Sequence, residues 1–269
     1  MGRGFGLCSI SSSSDYGNCY LIETPSGSRL LIDCGVPLRR LERHLRSLDV
    51  EPASIQAIFI THDHRDHVAA LKVGEPFPQK HRIPVYGMPG FWRKFRFKEH
   101  IDDDLRRVVS VGDSVDIDGC LVRPFRKPHD AWDPVGYTVE CGFQRISILT
   151  DLGFAPREVL QYVEDSTILV IESNHDVDME MNSGRSPFLI RRVLSDVGHL
   201  SNEQAATALA MAVGKSTRLV LLAHLSLDCN TPDMALKAAF RAVRRKDRVT
   251  IEVAPPDRPS CFFSERGTC

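Results

Sequence analysis

The stretch IFITHDHRDHVAAL, residues 58–71, sets three histidines and two aspartates within positions 62 to 67, between two apolar runs. Ile58, Phe59 and Ile60 read as a buried strand that ends at Thr61. Asp66 then starts a helix that continues through Val68 and Leu71. In the extended backbone between them, side chains two residues apart point the same way. His62 and His64 therefore share a face, with Asp63 and Arg65 turned from it. The helix start brings Asp66 and His67 to a second, adjacent position. Imidazole and carboxylate together suit Zn, Mn or Fe, and six residues of this pattern can hold two neighbouring cations. A solvated polar turn is the plainer reading, but it leaves three histidines at the exit of a buried strand unexplained.

Two cations need further ligands, and α/β sites assemble where strands end. Three residues meet that condition. His129 follows LVRPFRKP, Asp151 follows RISILT and His224 follows RLVLLA. Other segments supply a scaffold. NCYLIE and RLLIDCG are joined by the turn TPSGS and predict a hairpin. PLRRLERHLRSL has leucines at helical spacing. VDIDGCLVRPF and GYTVECGFQRISILT read as hairpin strands around Gly119 and Gly142, and TILVIE and VTIEVA as further strands. SNEQAATALAMAV carries Ser201 with Gln204 three residues on, the pattern of a capping box. TPDMALKAAFRAVRRK predicts a long helix, and the basic residues of RAVRRKDR near its end complement the helix dipole. Strands come first, then strands alternate with helices. That order predicts an α/β sandwich of two mixed sheets flanked by helices. We expect a single domain over residues 1–269, with 256–269 as a tail.

The bulk numbers exclude more than they select. A chain of 269 residues with formal charge −1 neither requires nor forbids a polyanionic partner. The eight cysteines are scattered without a Cys-x-x-Cys pair, which speaks against a disulfide framework or a cysteine zinc ribbon. No signal peptide is visible, Gly6 stands where myristoylation prefers Ser or Thr, and no apolar stretch is long enough to span a membrane. A cytoplasmic protein with no membrane attachment is expected, its oligomeric state open.

The set THDHRDH plus His129, Asp151 and His224 resembles the metallo-β-lactamase superfamily, which implies an αββα fold and two divalent ions, Zn or Mn, with Fe as a third candidate. By that resemblance His62, His64 and His129 hold one metal, Asp66, His67 and His224 hold the other, and Asp151 bridges them. Asp33 in LLIDCG corresponds to an aspartate that supports the site from behind. CSISSSSDYGNCYLIE, HDAWDPVGYTVE, TDLG, IESNHD, GHLSNEQAA and LAHLS are similar to the YycJ/WalJ group of bacterial hydrolases, relatives of tRNase Z and the phosphodiesterase-type members. That similarity implies a nuclease, expected to be a 5′-to-3′ exonuclease on single-stranded DNA or RNA. A phosphodiesterase for small cyclic nucleotides and a non-catalytic metal-binding regulator are the alternatives.

In such a site, two cations about 4 Å apart activate a hydroxide and clamp the phosphodiester oxygens. Asp66 is expected to orient the nucleophile and His199, in GHLSNEQ, to protonate the leaving group. Glu172 and His175 in IESNHD are expected to support the site, with substrate contact as the other reading for His175. For substrate, FWRKFRFKEH (residues 91–100) interleaves aromatics with Arg93 and Lys94, so bases can stack while cations meet phosphates. A partly buried amphipathic segment is the plainer reading. Arg126, in RPFRKPH, and Asn18, in SSSSDYGN, are further expected phosphate contacts.

Overall fold

The computed structural model describes residues 4–72, 74–243, 248–264 and 267–268. Its strands are β1 (Gly6–Ser11), β2 (Cys19–Glu23), β3 (Arg29–Ile32), β4 (Ile55–Phe59), β5 (Val85–Gly87), β6 (Arg106–Val108), β7 (Val115–Ile117), β8 (Cys120–Arg126), β9 (Val135–Cys141), β10 (Gln144–Leu149), β11 (Ile168–Glu172), β12 (Leu219–Ala223), β13 (Thr250–Val253), β14 (Phe263–Ser264) and β15 (Gly267–Thr268). The helices are α1 (Leu38–Ser47), α2 (Arg65–Val68), α3 (Phe77–His81), α4 (Pro89–Lys94), α5 (Arg157–Val163), α6 (Val177–Met181), α7 (Pro187–Val193), α8 (Asn202–Ala212) and α9 (Pro232–Ala242).

Two mixed sheets form, in the orders β15-β14-β1-β2-β3-β4-β5-β6 and β13-β12-β11-β10-β9-β8-β7. In the first, the antiparallel meander turns parallel at β3; in the second, the change comes at β10. β11 up to Glu172 and β12 throughout are apolar without a break, and their period of two sorts the side chains between two cores. Ile168, Val170, Leu219 and Leu221 face the cluster between the sheets, together with Leu7, Tyr20, Leu31 and Ile58 of the first sheet. Leu169, Ile171, Val220 and Leu222 face outward onto Leu160 of α5, Leu209 of α8 and Ala235 of α9. Among the described residues no helix is long and apolar enough to cross a membrane.

Three expectations are corrected. The helix after the histidine loop starts at Arg65, one residue early, and is only four residues long. Residues 260–264, expected within a tail, pack against the first strand. β14 pairs with β1, matching Leu7 with Phe263, and both Phe262 and Phe263 are buried because they complete the core that β1 would otherwise expose. The long C-terminal helix ends at Ala242, and Arg244, Arg245 and Lys246 of the basic cluster lie outside the described residues.

The capping box is present at α8: Ser201 Oγ accepts from the Gln204 amide, and Gln204 Oε1 accepts from the Ser201 amide. This fixes where the helix begins and so where the preceding His199 sits. Ser201→Ala is expected to cost about 1 kcal/mol. The check is urea unfolding, which should show a lower midpoint at an unchanged slope.

Candidate metal centre

Strand ends from both sheets converge on one edge of the sandwich. Asp33 follows β3, Thr61 and His62 follow β4, His129 follows β8, Asp151 follows β10, Glu172 ends β11 and His224 follows β12. Asp33 (φ 63°), Asp151 (φ 58°) and His224 (φ 57°) all have left-handed backbones. For residues with a Cβ this costs of order 1–3 kcal/mol each and persists only where surroundings enforce it. The histidine loop is pinned to β3's exit: Cys34 N donates to His67 O (2.9 Å) and Asn18 N to Asp66 O (2.7 Å). Gly35 is required there, since a Cβ would lie 1.6 Å from the Asp66 carbonyl oxygen.

The first ligand set is His62, His64 and His129. His62 Nε2 and His129 Nε2 each lie 3.1 Å from His64 Nδ1. The outer nitrogens decide the tautomers. The Thr61 hydroxyl donates to Asp33 Oδ2 (2.8 Å) and so accepts from His62 Nδ1–H (2.9 Å). His129 Nδ1–H donates to the carbonyls of Val197 (3.1 Å) and Gly198 (3.2 Å). Both Nε2 atoms are left with bare lone pairs. Burial pushes the pKa of His62 far down, that of His64 down, and that of His129 to about 3. Three neutral imidazoles thus aim lone pairs at one point, a donor set chosen by divalent zinc, manganese and iron.

The second set is Asp66, His67, Asp151 and His224, whose ligand atoms all lie within 4.8 Å of one another. His67 Nε2 is 3.4 Å from both Asp66 Oδ2 and Asp151 Oδ2. His224 Nε2 is 3.3 Å from Asp66 Oδ2. Asp151 Oδ2 is buried with no hydrogen-bond partner, which is costly for a carboxylate oxygen unless a cation takes it. Burial opposes ionisation here, but the neighbouring imidazoles hold Asp66 and Asp151 well below the usual carboxylate range. Against the same burial, Asp151, Asp33 and Asp66 push His67 up, and Asp151, Asp66 and Glu172 push His224 to about 10. Protons on these two rings occupy the position a cation would take. The donors therefore fit two divalent metal ions.

Buried side chains orient the set from behind. Asp33 accepts from Thr61 N (2.8 Å), the Thr61 hydroxyl and His67 Nδ1–H (2.7 Å). Glu172 Oε1 accepts from Nδ1–H of both His199 and His224, each at 2.8 Å, and Oε2 accepts from Leu152 N and Leu200 N. Burial raises the Glu172 pKa, yet His199 and His224 bring it down to about 2. His199 thus keeps Nε2 for another partner.

Several expected substrate contacts lie elsewhere. Asn18 is fully buried, and its amide donates to Asp66 Oδ2 (3.1 Å), so it braces a candidate ligand instead of meeting phosphate. His175 is buried with neither ring nitrogen hydrogen-bonded, so it touches neither substrate nor a candidate ligand. Arg126 is exposed but held by Asp133 (3.2 Å), in a groove with Pro156 and Tyr162. In FWRKFRFKEH the aromatics Phe91, Trp92 and Phe95 are core residues and offer no face to a base. Arg93 and Lys94 are exposed, and Lys94 lines a groove beside Asp63. Three participants escaped sequence reasoning: Ser14, 3.1 Å from His224 Nε2; Lys127, a buried cation donating to the Thr150 carbonyl; and Trp132. Only Lys127 left a signal, as a lysine two residues before a candidate ligand histidine.

A family model described as a beta-lactamase superfamily domain matches residues 28–225. With the two-sheet fold and its strand-end histidines, this means that the chain belongs to the β-lactamase superfamily, as a metal-dependent hydrolase. Within it the chain belongs with the YycJ/WalJ-like proteins. It is 32% identical over 243 residues to Exodeoxyribonuclease YycJ of Bacillus anthracis, covering 88% of this chain and 89% of that one. It is 29% identical over 230 residues to Exodeoxyribonuclease WalJ of Streptococcus pneumoniae, covering 84% of each. The fold also matches the crystal structure of the metallo-beta-lactamase fold protein YhfI from Bacillus subtilis. There the TM-score is 0.72 at 14% identity, covering 96% of this chain and 99% of that one.

The raised pKa of His224 gives a signed prediction. A group raised from 6.5 to about 10 stabilises the metal-free fold fully below pH 6.5 and loses that contribution as pH rises toward 10. A divalent cation needs the neutral ring and competes with the proton. The Tm of chelator-treated protein is therefore expected to fall as pH rises above 6.5. The Tm gain on adding metal should grow over the same interval. Differential scanning calorimetry at matched ionic strength reads both, and a metal increment independent of pH would contradict the assignment.

Proposed function

We propose that this chain is a metal-dependent nuclease that removes nucleotides from the 5′ ends of single-stranded DNA, or of RNA. The observation that carries the reading is the joining of the two donor sets to one histidine, His199, that keeps a ring nitrogen for the substrate. DNA is favoured because the relatives similar over most of the chain are exodeoxyribonucleases. The 5′-to-3′ polarity and the preference for an unpaired strand rest on the family resemblance. We assign His62, His64 and His129 to one cation, Asp66, His67 and His224 to the other, and Asp151 to both. Zinc and manganese are the proposed ions, and the reducing cytoplasm the proposed location, in keeping with the free thiols of Cys19, Cys34, Cys120 and Cys229. The core shared by both sheets supports taking residues 1–269 as one domain.

When bound, a pair of divalent cations supplies Lewis-acid activation of water and of the phosphodiester. The protein's own groups do the rest. Asp66, braced by Asn18, orients the attacking water and accepts its proton. His199, with Nδ1–H held by Glu172 at 2.8 Å, presents Nε2 to the leaving oxygen and delivers a proton to it. Asp33 and Glu172 keep the imidazoles from rotating. The left-handed turns at Asp151 and His224 direct their side chains back over the sheet edge.

The test uses protein loaded with Mn or Zn and 5′-labelled single-stranded DNA and RNA. Stepwise release of 5′ nucleotides is expected from wild type and not from Asp66→Ala. His199→Ala should slow DNA cleavage by roughly 10²- to 10⁴-fold. It should slow bis(p-nitrophenyl) phosphate hydrolysis far less, because p-nitrophenolate departs without a proton. Hydrolysis of that small ester with no attack on either polymer would replace a nuclease with a small-molecule phosphodiesterase.

A further inference from the structure

We propose that the groove between the histidine loop and α4 holds one unpaired nucleotide adjoining the scissile phosphate, its base stacked on Trp132 and its phosphate met by Lys72, Lys94 and Arg96. The inference rests on the phosphodiesterase reading above and adds where and how the strand is gripped. The groove encloses 420 Å³ and is lined by Asp63, Lys72, Lys94, Arg96, Phe97 and Trp132. That volume falls in the range of about 300–1,000 Å³ typical of ligand sites. Asp63 belongs to the histidine loop, and Asp130 of the Trp132 loop comes within 3.8 Å of His64 Nε2 and 3.6 Å of His129 Nε2, so the groove borders the first ligand set.

Trp132 is 49% exposed, whereas the chain's other tryptophan, Trp92, is 8% exposed and donates its indole N–H to Arg107 O (2.8 Å). The Trp132 indole offers a large flat face to the groove beside the histidine loop. It is also rigidly mounted. Its loop is tied by Arg192 to Asp130 (2.5 and 2.9 Å), by the Gly90 amide to Asp133 (2.7 Å), and by Val135 N to Thr61 O (3.0 Å). The Trp132 amide itself donates to Asp63 Oδ1 (3.4 Å). At Gly90 a Cβ would stand 2.3 Å from Asp133 Oδ2, so α4 approaches this loop closely and a larger residue would displace the Asp133 carboxylate.

The cations complete the picture. Lys94 Nζ lies 4.5 Å from the Trp132 ring centroid, and Lys72 Nζ lies 5.9 Å from that of Phe97. Among the described residues no ion pair holds Lys72, Lys94 or Arg96. Three cations against the single carboxylate of Asp63 give the groove a positive excess beside a flat aromatic face. Nucleobases stack on such faces whatever their sequence, while cations track the phosphates. A phosphate ester without a base would use the cations and leave the indole idle. A base inside a duplex has both faces covered by its neighbours, so the stacked nucleotide is unpaired, either in a single strand or at a frayed end.

The experiment uses metal-loaded protein and phosphorothioate oligothymidylates of one to six residues, which resist hydrolysis. Binding is followed by intrinsic fluorescence and by anisotropy of a 3′-labelled strand. Saturable quenching is expected from wild type and from Trp92→Phe, but not from Trp132→Phe. Trp132→Ala should weaken binding roughly 10-fold or more, and Trp132→Phe should recover part of the loss. Oligodeoxyadenylate should behave like oligothymidylate. Wild-type cleavage of DNA with no quenching, or with Trp132→Ala binding as tightly as wild type, would overturn the subsite and leave the nuclease standing. Quenching by a blunt duplex equal to that by a single strand would overturn the unpaired base. A Trp132→Ala effect confined to the sedimentation coefficient would reassign the indole to a protein contact. If wild type neither binds nor cleaves any oligonucleotide yet hydrolyses bis(p-nitrophenyl) phosphate, the nuclease reading has failed and the subsite fails with it.

Discussion

Two buried carboxylates, one contributed by each sheet, hold the rest of the site in place. Asp33 leaves β3 and ties down Thr61 and His67; Glu172 ends β11 and ties down His199 and His224. Each carboxylate is wholly buried. Such a group is tolerated only when its lone pairs are taken up, and here every donor it uses is a group the site needs in a fixed orientation. The tautomer of four imidazoles follows from where their Nδ1 protons are drawn. The orientation of these four rings is therefore set from within the sandwich, while the loop carbonyls of Val197 and Gly198 set that of His129.

The same edge shows where the fold accepts local cost. Three site residues with left-handed backbones follow strands that are otherwise regular, and their neighbours are among the most apolar segments of the chain. Strand pairing and core packing hold the approach to each turn, and the turn throws a polar side chain back across the sheet end. Burial of Asp151 Oδ2 without a hydrogen-bond partner belongs to the same pattern. A compact domain stable enough to carry these strains presents pre-set donors to an ion, and little reorganisation accompanies binding.

Much of this was legible in the sequence because it is local. The histidine loop, the polar residues that abruptly end apolar strands and the Ser201–Gln204 box all declare themselves within a few positions. Misread residues were those whose setting is made by distant chain. Asn18 sits in a serine-rich loop that resembles a phosphate cradle, yet contact with Asp66, 48 residues away, buries it. His175 stands three residues from Glu172 in sequence, but its backbone pairs with Ser201 and its ring is buried in the interior. The aromatic and basic pattern of residues 91–100 admits two readings, and the structure takes the amphipathic one: Phe91, Trp92 and Phe95 go inward, and the cations outward. Trp132 carried no periodic signal, because a loop has none.

The pairing of β14 with β1 bears on how the protein is made. Phe263 lies against Leu7, Ser9 N donates to Ser260 Oγ (3.0 Å), and His224 N donates to Ser12 Oγ (2.9 Å). Contacts of such sequence separation are the last to close in a growing chain. Until residues 260–264 are available, the first strand lacks its outer neighbour. A chain built this way takes the outer edge of its first strand from residues about 250 positions further on, so β1 cannot complete its pairing until nearly all of both sheets has been synthesised.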